Sequence, residues 1–318
     1  IHVYGKQTEA KDYRIVGYIH ANEFDFAPYE DDTKIERGYY YNMLRVTEHV
    51  ENGVKIYRRK KIFSLMFSIL HHLVYQNGVN FCFACMGKEN KSIKEALHRN
   101  TLLHGEYYER LPFTMYSKIN RLYGSKKEYN KLVDITENEP LLRKYYAQMH
   151  AKMKDYLFYN HLNFVSFQKL MLNMKAYSPT SGVYAHLDAS GNIITASGAM
   201  NWGEFLTFKI VNPKGVFILA QKSGIMKHFF KPSMGIGKPE DYKKLLKGLC
   251  YKYHKEAGVG VTVISTSEGD EYYKINKSLL DDQYAYFIIC NDEKKLQQFK
   301  KRSEVNGHPM LFLDQPII

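Results

Sequence analysis

The chain has 318 residues, 45% of them hydrophobic, and carries 45 Lys and Arg against 33 Asp and Glu, a formal net charge of +12. That length supports two domains with a sizeable core in each, and the lack of any run of eighteen apolar residues argues against a membrane-spanning helix. The four cysteines, Cys82, Cys85, Cys250 and Cys290, make no disulfide framework at this length and fit a reducing cytoplasm.

In chain order, the pattern predicts strands over 1–7 and 13–23, an acidic polar loop over 25–36 and a strand over 40–50. Ile1-His2-Val3-Tyr4 reads as a strand without an initiator Met, so further residues are expected before it. A basic loop follows, Tyr57-Arg58-Arg59-Lys60-Lys61, and then a helix over 62–77. Ile62, Met66, Ile69, Leu70 and Leu73 are expected to form its one buried face, and Asn77-Gly78 supplies a left-handed stop. The apolar run 79–86 is too short for a helix between turn signals and reads as a central strand. Cys82 and Cys85 within it form a C-x-x-C, but positions three apart on a strand point to opposite faces, so buried thiols are expected rather than a metal site. A short helix over 92–99 and strands over 102–108 and 113–116 complete this half.

The polar stretch 123–140 is the expected boundary, which divides the chain into 1–124 and 125–318. Beyond it the pattern predicts helices over 141–159 and 164–177. A hairpin then turns at Asp188-Ala189-Ser190-Gly191-Asn192 between strands 182–187 and 193–201. Strands over 205–211 and 215–220 lead to a loop that ends Met234-Gly235-Ile236-Gly237-Lys238-Pro239. Pro239 suits the first turn of a helix reaching 257, closed by Gly258, and strands follow over 259–265, 284–290 and 310–313. Both halves repeat one order of strands, loop, helix, Gly and buried strand, with Gly78 and Gly258 as matching stops, the pattern of a diverged tandem duplication. The fold class expected is mixed α/β (α+β).

The first turn of the 62–77 helix has free backbone N–H groups at the edge of a sheet, a natural anion site. Arg58, Arg59, Lys60 and Lys61 add side-chain charge there and suit a pyrophosphate. In this order of elements the chain resembles the GNAT acyl-CoA N-acyltransferase superfamily. Tyr57-Arg58-Arg59-Lys60-Lys61-Ile62-Phe63-Ser64 stands where that family often has Tyr-Arg-Gly-Lys-Gly-Ile-Gly-Ser, and Glu89-Asn90-Lys91-Ser92-Ile93 stands where it has an Asn-x-x-Ala segment.

The resemblance implies two tandem GNAT-like domains, each a mixed, mostly antiparallel sheet flanked by helices. It implies acetyl-CoA or another acyl-CoA as cofactor, an unknown amine as acceptor, and N-acyl transfer as the reaction. Arg58, Arg59, Lys60, Lys61, Ile62, Phe63 and Ser64 would surround the pyrophosphate, and Asn90 would lie near the pantetheine arm. That arm would run between the strand ending at Val50 and the one starting at Val79. For a base, Glu48 is the first candidate and His49 the second, near the end of that strand and on opposite faces of it. The chain departs from the family at Lys61 and Phe63, which replace both glycines, and at Leu97, which replaces the Tyr that protonates the leaving thiolate. His98, Tyr107 and Tyr108 are its sequence neighbours. Gly235-Ile236-Gly237 keeps a Gly-x-Gly in the second half, where a cofactor site or simple loop punctuation both fit. Two other functions suit the same features: an inactive acyl-CoA-binding module, and a nucleic-acid-binding protein using the +12 surface.

Overall fold

The computed structural model describes residues 2–4, 15–29, 34–46, 50–51, 54–55, 62–87, 95, 98–99, 107–154, 156–157, 159, 162–204, 222, 224, 228–278 and 280–304. In the first half these form β1 (His2–Tyr4), β2 (Ile15–Phe26), β3 (Glu36–Val46), β4 (Val50–Glu51), β5 (Val54–Lys55), α1 (Ile62–Gln76), β6 (Phe81–Gly87) and β7 (Tyr107–Ile119). Two short helices follow, α2 (Asn120–Tyr123) and α3 (Lys126–Tyr129), then β8 (Val133–Asp134), α4 (Glu139–Met153) and α5 (Phe164–Tyr177). The remainder is β9 (Gly182–Leu187), β10 (Ile193–Asn201), β11 (Phe229–Ile236), α6 (Pro239–Ala257), β12 (Val261–Thr266), α7 (Tyr273–Asn276), β13 (Leu280–Cys290) and α8 (Glu293–Glu304). The expected mixed α/β architecture is present.

Local chemistry sets many of these boundaries. Asn138 caps α4 by accepting from the Leu141 N–H at 3.2 Å, and Asn163 caps α5 by accepting from Ser166 at 2.9 Å. Helix α6 opens with Pro239, Glu240 and Asp241, and ends at Gly258, whose φ of 63° is the left-handed cap. Gly78 closes α1 in the same way with φ 72°. In the β9–β10 hairpin the Asp188 carboxylate accepts the N–H groups of Ser190 and Asn192, and Gly191 takes a positive φ.

Eleven strands form one sheet in the order β1-β2-β3-β6-β13-β7-β12-β11-β10-β9-β8. The long strands β7 and β13 are antiparallel, from Tyr107 opposite Cys290 to Ser117 opposite Leu280. The strand beside β6 thus comes from the C-terminal part of the chain, while the strand beside β12 comes from the N-terminal part. Helices α1 and α6 cover one face. Under α1 lie Ile19, Tyr41, Cys82, Ala84, Phe287 and Ile289, and under α6 lie Tyr184, Phe230 and Ile264. On the other face α8 packs Leu296 and Phe299 against Phe81, Phe83 and Ile288, and α4 and α5 cover Val183, Ala185 and Ala196.

Several elements differ from the sequence expectation. The strand expected over 40–50 runs over Glu36–Val46, and Val50 instead pairs with Lys55 in a separate two-stranded ladder. Two strands expected on either side of Pro112 are one strand, β7, because Pro112 sits opposite Ala285 in the middle of the ladder despite lacking an N–H. Pro232 similarly disguises β11, whose residues through Met234 and Ile236 read as loop. The helix expected over 141–159 stops at Met153. Ile69 and Leu73 are not on the buried face of α1. They are 38% and 45% exposed, while Ile62, Met66, Phe67, Leu70 and Val74 are buried. The strands expected over 205–211, 215–220 and 310–313 lie outside the described residues. Cys82 and Cys85 do face opposite sides of the sheet, Cys82 toward α1 and Cys85 toward the α8 side. Among the described residues no helix is long and apolar enough to cross a membrane, and no group of His, Cys, Asp and Glu is arranged to hold a metal ion.

Candidate active site

Two places in the sheet bring parallel strands together and then let them part. In the first half β3 and β6 pair from Gly38 opposite Phe81 to Tyr41 opposite Ala84, and go no further together. Just there the register of β3 against β2 shifts between His20 and Ala21, so that Asn42 is an extra residue in β3. Beyond this point each strand presents an edge whose backbone N–H and C=O groups are not used by the other. In the second half β11 and β12 pair only at Phe229 opposite Val261 and Phe230 opposite Thr262. Again a register shift follows, opposite Ala196 to Gly198, with Met234 at a φ of 51°.

At the vertex of the first opening Tyr40 and Cys85, the first β6 residue past the last parallel pair, share one side-chain cluster on the α8 side of the sheet. Burial pushes the Cys85 thiol up to about 12, and the Lys231 ammonium of β11 and the Tyr40 hydroxyl offset only part of that. The thiol is therefore protonated at neutral pH and a poor nucleophile. Burial also raises Tyr40, with Cys85 adding to it, so this phenol stays neutral as well.

The second opening is bridged by the protein itself. The Tyr272 hydroxyl donates to the Gly237 carbonyl at 2.7 Å, spanning from the chain after β12 to the end of β11. Its ring stacks on Tyr242 with centroids 4.2 Å apart, and Lys152 sits over its other side at 3.7 Å. Lys152 also donates to the Gly235 carbonyl at 2.8 Å and pairs with Glu271 at 2.6 Å. The Tyr145 hydroxyl closes the set by donating to the Met234 carbonyl at 2.7 Å. Both glycines of Gly235-Ile236-Gly237 serve this packing. A Cβ at Gly235 would stand 2.4 Å from the Tyr242 ring, and one at Gly237 would stand 2.7 Å from the Ile194 carbonyl at a φ of +101°. The Gly-x-Gly is thus explained by close approach within the fold.

Of the residues singled out from sequence, Ile62 is buried in the first turn of α1, and Ser64 accepts the Ser68 hydroxyl on its carbonyl at 2.8 Å. Phe63 is in the same turn. Val50 lies in the β4–β5 ladder, past the end of β3. Glu48, His49, Arg58, Arg59, Lys60, Lys61, Asn90 and Leu97 lie outside the described residues. Tyr40, Cys85, Lys231 and Tyr272 were not foreseen. Their juxtaposition depends on strand pairings far apart in sequence, and only Cys85, on a buried strand, carried any local signal.

No protein-family model and no curated protein matches the sequence. Solved structures do match in three dimensions. N-myristoyltransferase of Saccharomyces cerevisiae with bound myristoyl-CoA and inhibitors superposes with a TM-score of 0.58 at 10% identity, over 89% of this chain and 66% of that one. A second structure of that enzyme, with bound myristoyl-CoA, gives 0.54 at 11% identity over 89% and 65%. A GCN5-related N-acetyltransferase from Sphaerobacter thermophilus gives 0.51 at 9% identity over 88% and 77%. The fold is that of the GNAT-like acyltransferases. The chain spans just under two thirds of the length of the two yeast chains it matches. Within the GNAT-like fold, the parting strands β3 and β6 with α1 between them in sequence form the better candidate site, because the corresponding place in the second half is taken up by Tyr272 and Lys152.

Proposed function

We propose that this protein transfers an acyl group, acetyl or another, from acyl-CoA to an amine, with the cofactor held in the opening between β3 and β6. The observation that carries this reading is the parallel pairing that stops at Tyr41 and Ala84, beside the helix that follows Arg58-Arg59-Lys60-Lys61. The first turn of α1, Ile62, Phe63 and Ser64, offers backbone N–H groups, and Arg58 to Lys61 offer charge, for the pyrophosphate. Val50 and Asn90 are assigned to the pantetheine arm. The tandem arrangement, halves 1–124 and 125–318, belongs to the same reading and is supported by the matching order β3-α1-β6 and β11-α6-β12 on one sheet. The second half would complete the acceptor groove, since β13, from the C-terminal part of the chain, is the direct sheet neighbour of β6. The site of action proposed is the cytoplasm.

The step itself is addition and elimination. The amine nitrogen attacks the thioester carbon, the C–S bond breaks, and CoA leaves as its thiolate, which takes a proton from water while the base returns its proton to solvent. Glu48, or His49 in its place, would accept the proton that the amine gives up. A backbone N–H at the β3 edge would hold the oxyanion.

Titration calorimetry with acetyl-CoA and with a long-chain acyl-CoA tests the cofactor, and thiol release against a panel of amines tests the chemistry. Binding at one site with amine-dependent release is expected. Binding without release on any amine would leave a non-catalytic acyl-CoA module, and no binding at millimolar concentration of either cofactor would sink the proposal.

A further inference from the structure

Lys118, near the end of β7, is only 7% exposed, and among the described residues no carboxylate pairs with its ammonium. It donates to the Lys277 carbonyl at 3.0 Å, just past α7, and lies over the Tyr123 ring, 4.6 Å from the centroid. A carbonyl and a ring face offer partial charge, whereas a buried lysine is ordinarily matched by a full negative charge. Burial holds this amine below the ordinary lysine value, Cys250 offsets part of that, and Lys243 adds to it.

The surroundings add positive charge instead of cancelling it. Lys243 and Lys247 stand one turn apart on α6, and the Lys247 ammonium is 5.7 Å from the centroid of the same Tyr123 ring, again with no carboxylate paired to it among the described residues. Glu240, the acid on this flank of α6, is exposed and reaches only Lys243, at 3.9 Å. The Tyr123 hydroxyl is buried with no hydrogen-bond partner among the described residues, and burial pushes its pKa up, so it keeps its proton and is a donor. A buried donor without an acceptor, beside ammonium groups without a counter-charge, is complementary to an anion. Three ammonium groups against one exposed carboxylate suit a doubly charged oxyanion better than a single carboxylate, and lysines bind phosphate as point charges. The burial of Lys118 and of the Tyr123 oxygen restricts the ligand to a small ion. We propose that the space enclosed by β7, α2, α6 and the turn after α7 binds one inorganic phosphate ion, with the Lys118 and Lys247 ammonium groups and the Tyr123 hydroxyl as its donors. The ion would tie β7 to α6. This site uses none of the residues assigned to acyl-CoA and does not rest on the acyltransferase reading.

The test is titration calorimetry of the full chain near neutral pH with inorganic phosphate, with acetate and with AMP, at an ionic strength held constant by sodium chloride. One phosphate site is expected, with acetate and AMP at least about tenfold weaker, the first for its single charge and the second for its size. Lys118→Met is expected to weaken phosphate at least about tenfold, and Lys247→Gln and Tyr123→Phe by about threefold to tenfold each. Phosphate should also raise the thermal midpoint of the wild-type chain but not that of Lys118→Met, because it binds the folded state. In chloride alone the Lys118→Met midpoint should be equal or higher, since an apolar side chain of similar length replaces a buried charge. A lysine kept only for its bond to the Lys277 carbonyl would lower that midpoint and leave phosphate without effect on either protein. Should Lys118→Met fail to fold, Lys247→Gln, at a half-buried position on α6, carries the same comparison. No heat of binding at about 10 mM phosphate overturns the proposal, as does phosphate binding that all the variants retain. Acetate or AMP binding as tightly as phosphate overturns it too, because the ligand would then be a carboxylate or a phosphate ester.

Discussion

The crossovers β3-α1-β6 and β11-α6-β12 follow one order on one face of a single sheet, yet they end in opposite arrangements where their strands part. Between β11 and α6 stand only Gly237 and Lys238, too little chain to wrap a pyrophosphate, and Tyr272, Tyr242 and Lys152 bridge the opening. Between β3 and α1 the chain runs from residue 47 to residue 61 and ends in four basic residues. The difference teaches that a shared topology does not confer a shared site. The length and charge of the connection into the helix do, together with whether the fold's own side chains take the space.

The largest expected effect comes from emptying the second opening. Tyr272→Ala removes a ring that is 4% exposed and stacked on both sides, and should cost about 3 kcal/mol in denaturant unfolding. Calorimetry on this variant should still find a single acyl-CoA site, since the short connection to α6 is unchanged; a second site would erase the contrast drawn between the halves. Next comes charge reversal. Arg59→Glu with Lys60→Glu should weaken acyl-CoA binding at least tenfold, about 1.4 kcal/mol, whereas Lys243→Glu with Lys244→Glu on α6 should stay within about twofold. Equal losses in both pairs would mean that net charge, rather than place, governs affinity. The smallest effect concerns what the two crossovers share. Gly78→Ala and Gly258→Ala meet no atom within 4 Å but force a left-handed φ of +72° and +63°, so each should lower stability by the same amount, about 1 kcal/mol. Unequal thermal shifts would show that the two helix stops are alike in sequence only.

Much of the fold was legible because many of its boundaries are set locally. Helix α5 and the β9–β10 hairpin have the ends expected from sequence, where Asn163 caps the one and Asp188 and Gly191 turn the other. What failed was non-local. Pro112 and Pro232 read as breaks, but each occupies a position inside a ladder. In α1 apolar residues occur all around the helix, so periodicity alone did not separate Ile69 and Leu73 from the buried face. The candidate site was legible as a basic run leading into a helix. Its counterpart in the second half was not, because Tyr272 meets Gly237 only once β11 and β12 are paired.

The exchange of β7 and β13 sets an order for synthesis. Both sheet neighbours of β7, β12 and β13, are encoded after it, so Tyr107–Ile119 leaves the ribosome with both of its edges bare and stays so until residues beyond 260 emerge. Leu111 and Phe113, buried in the finished protein, are exposed throughout that interval. A strand with two bare edges and apolar side chains is the condition under which incomplete chains aggregate, and a fragment ending at residue 124 would carry the same bare strand with nothing left to cover it.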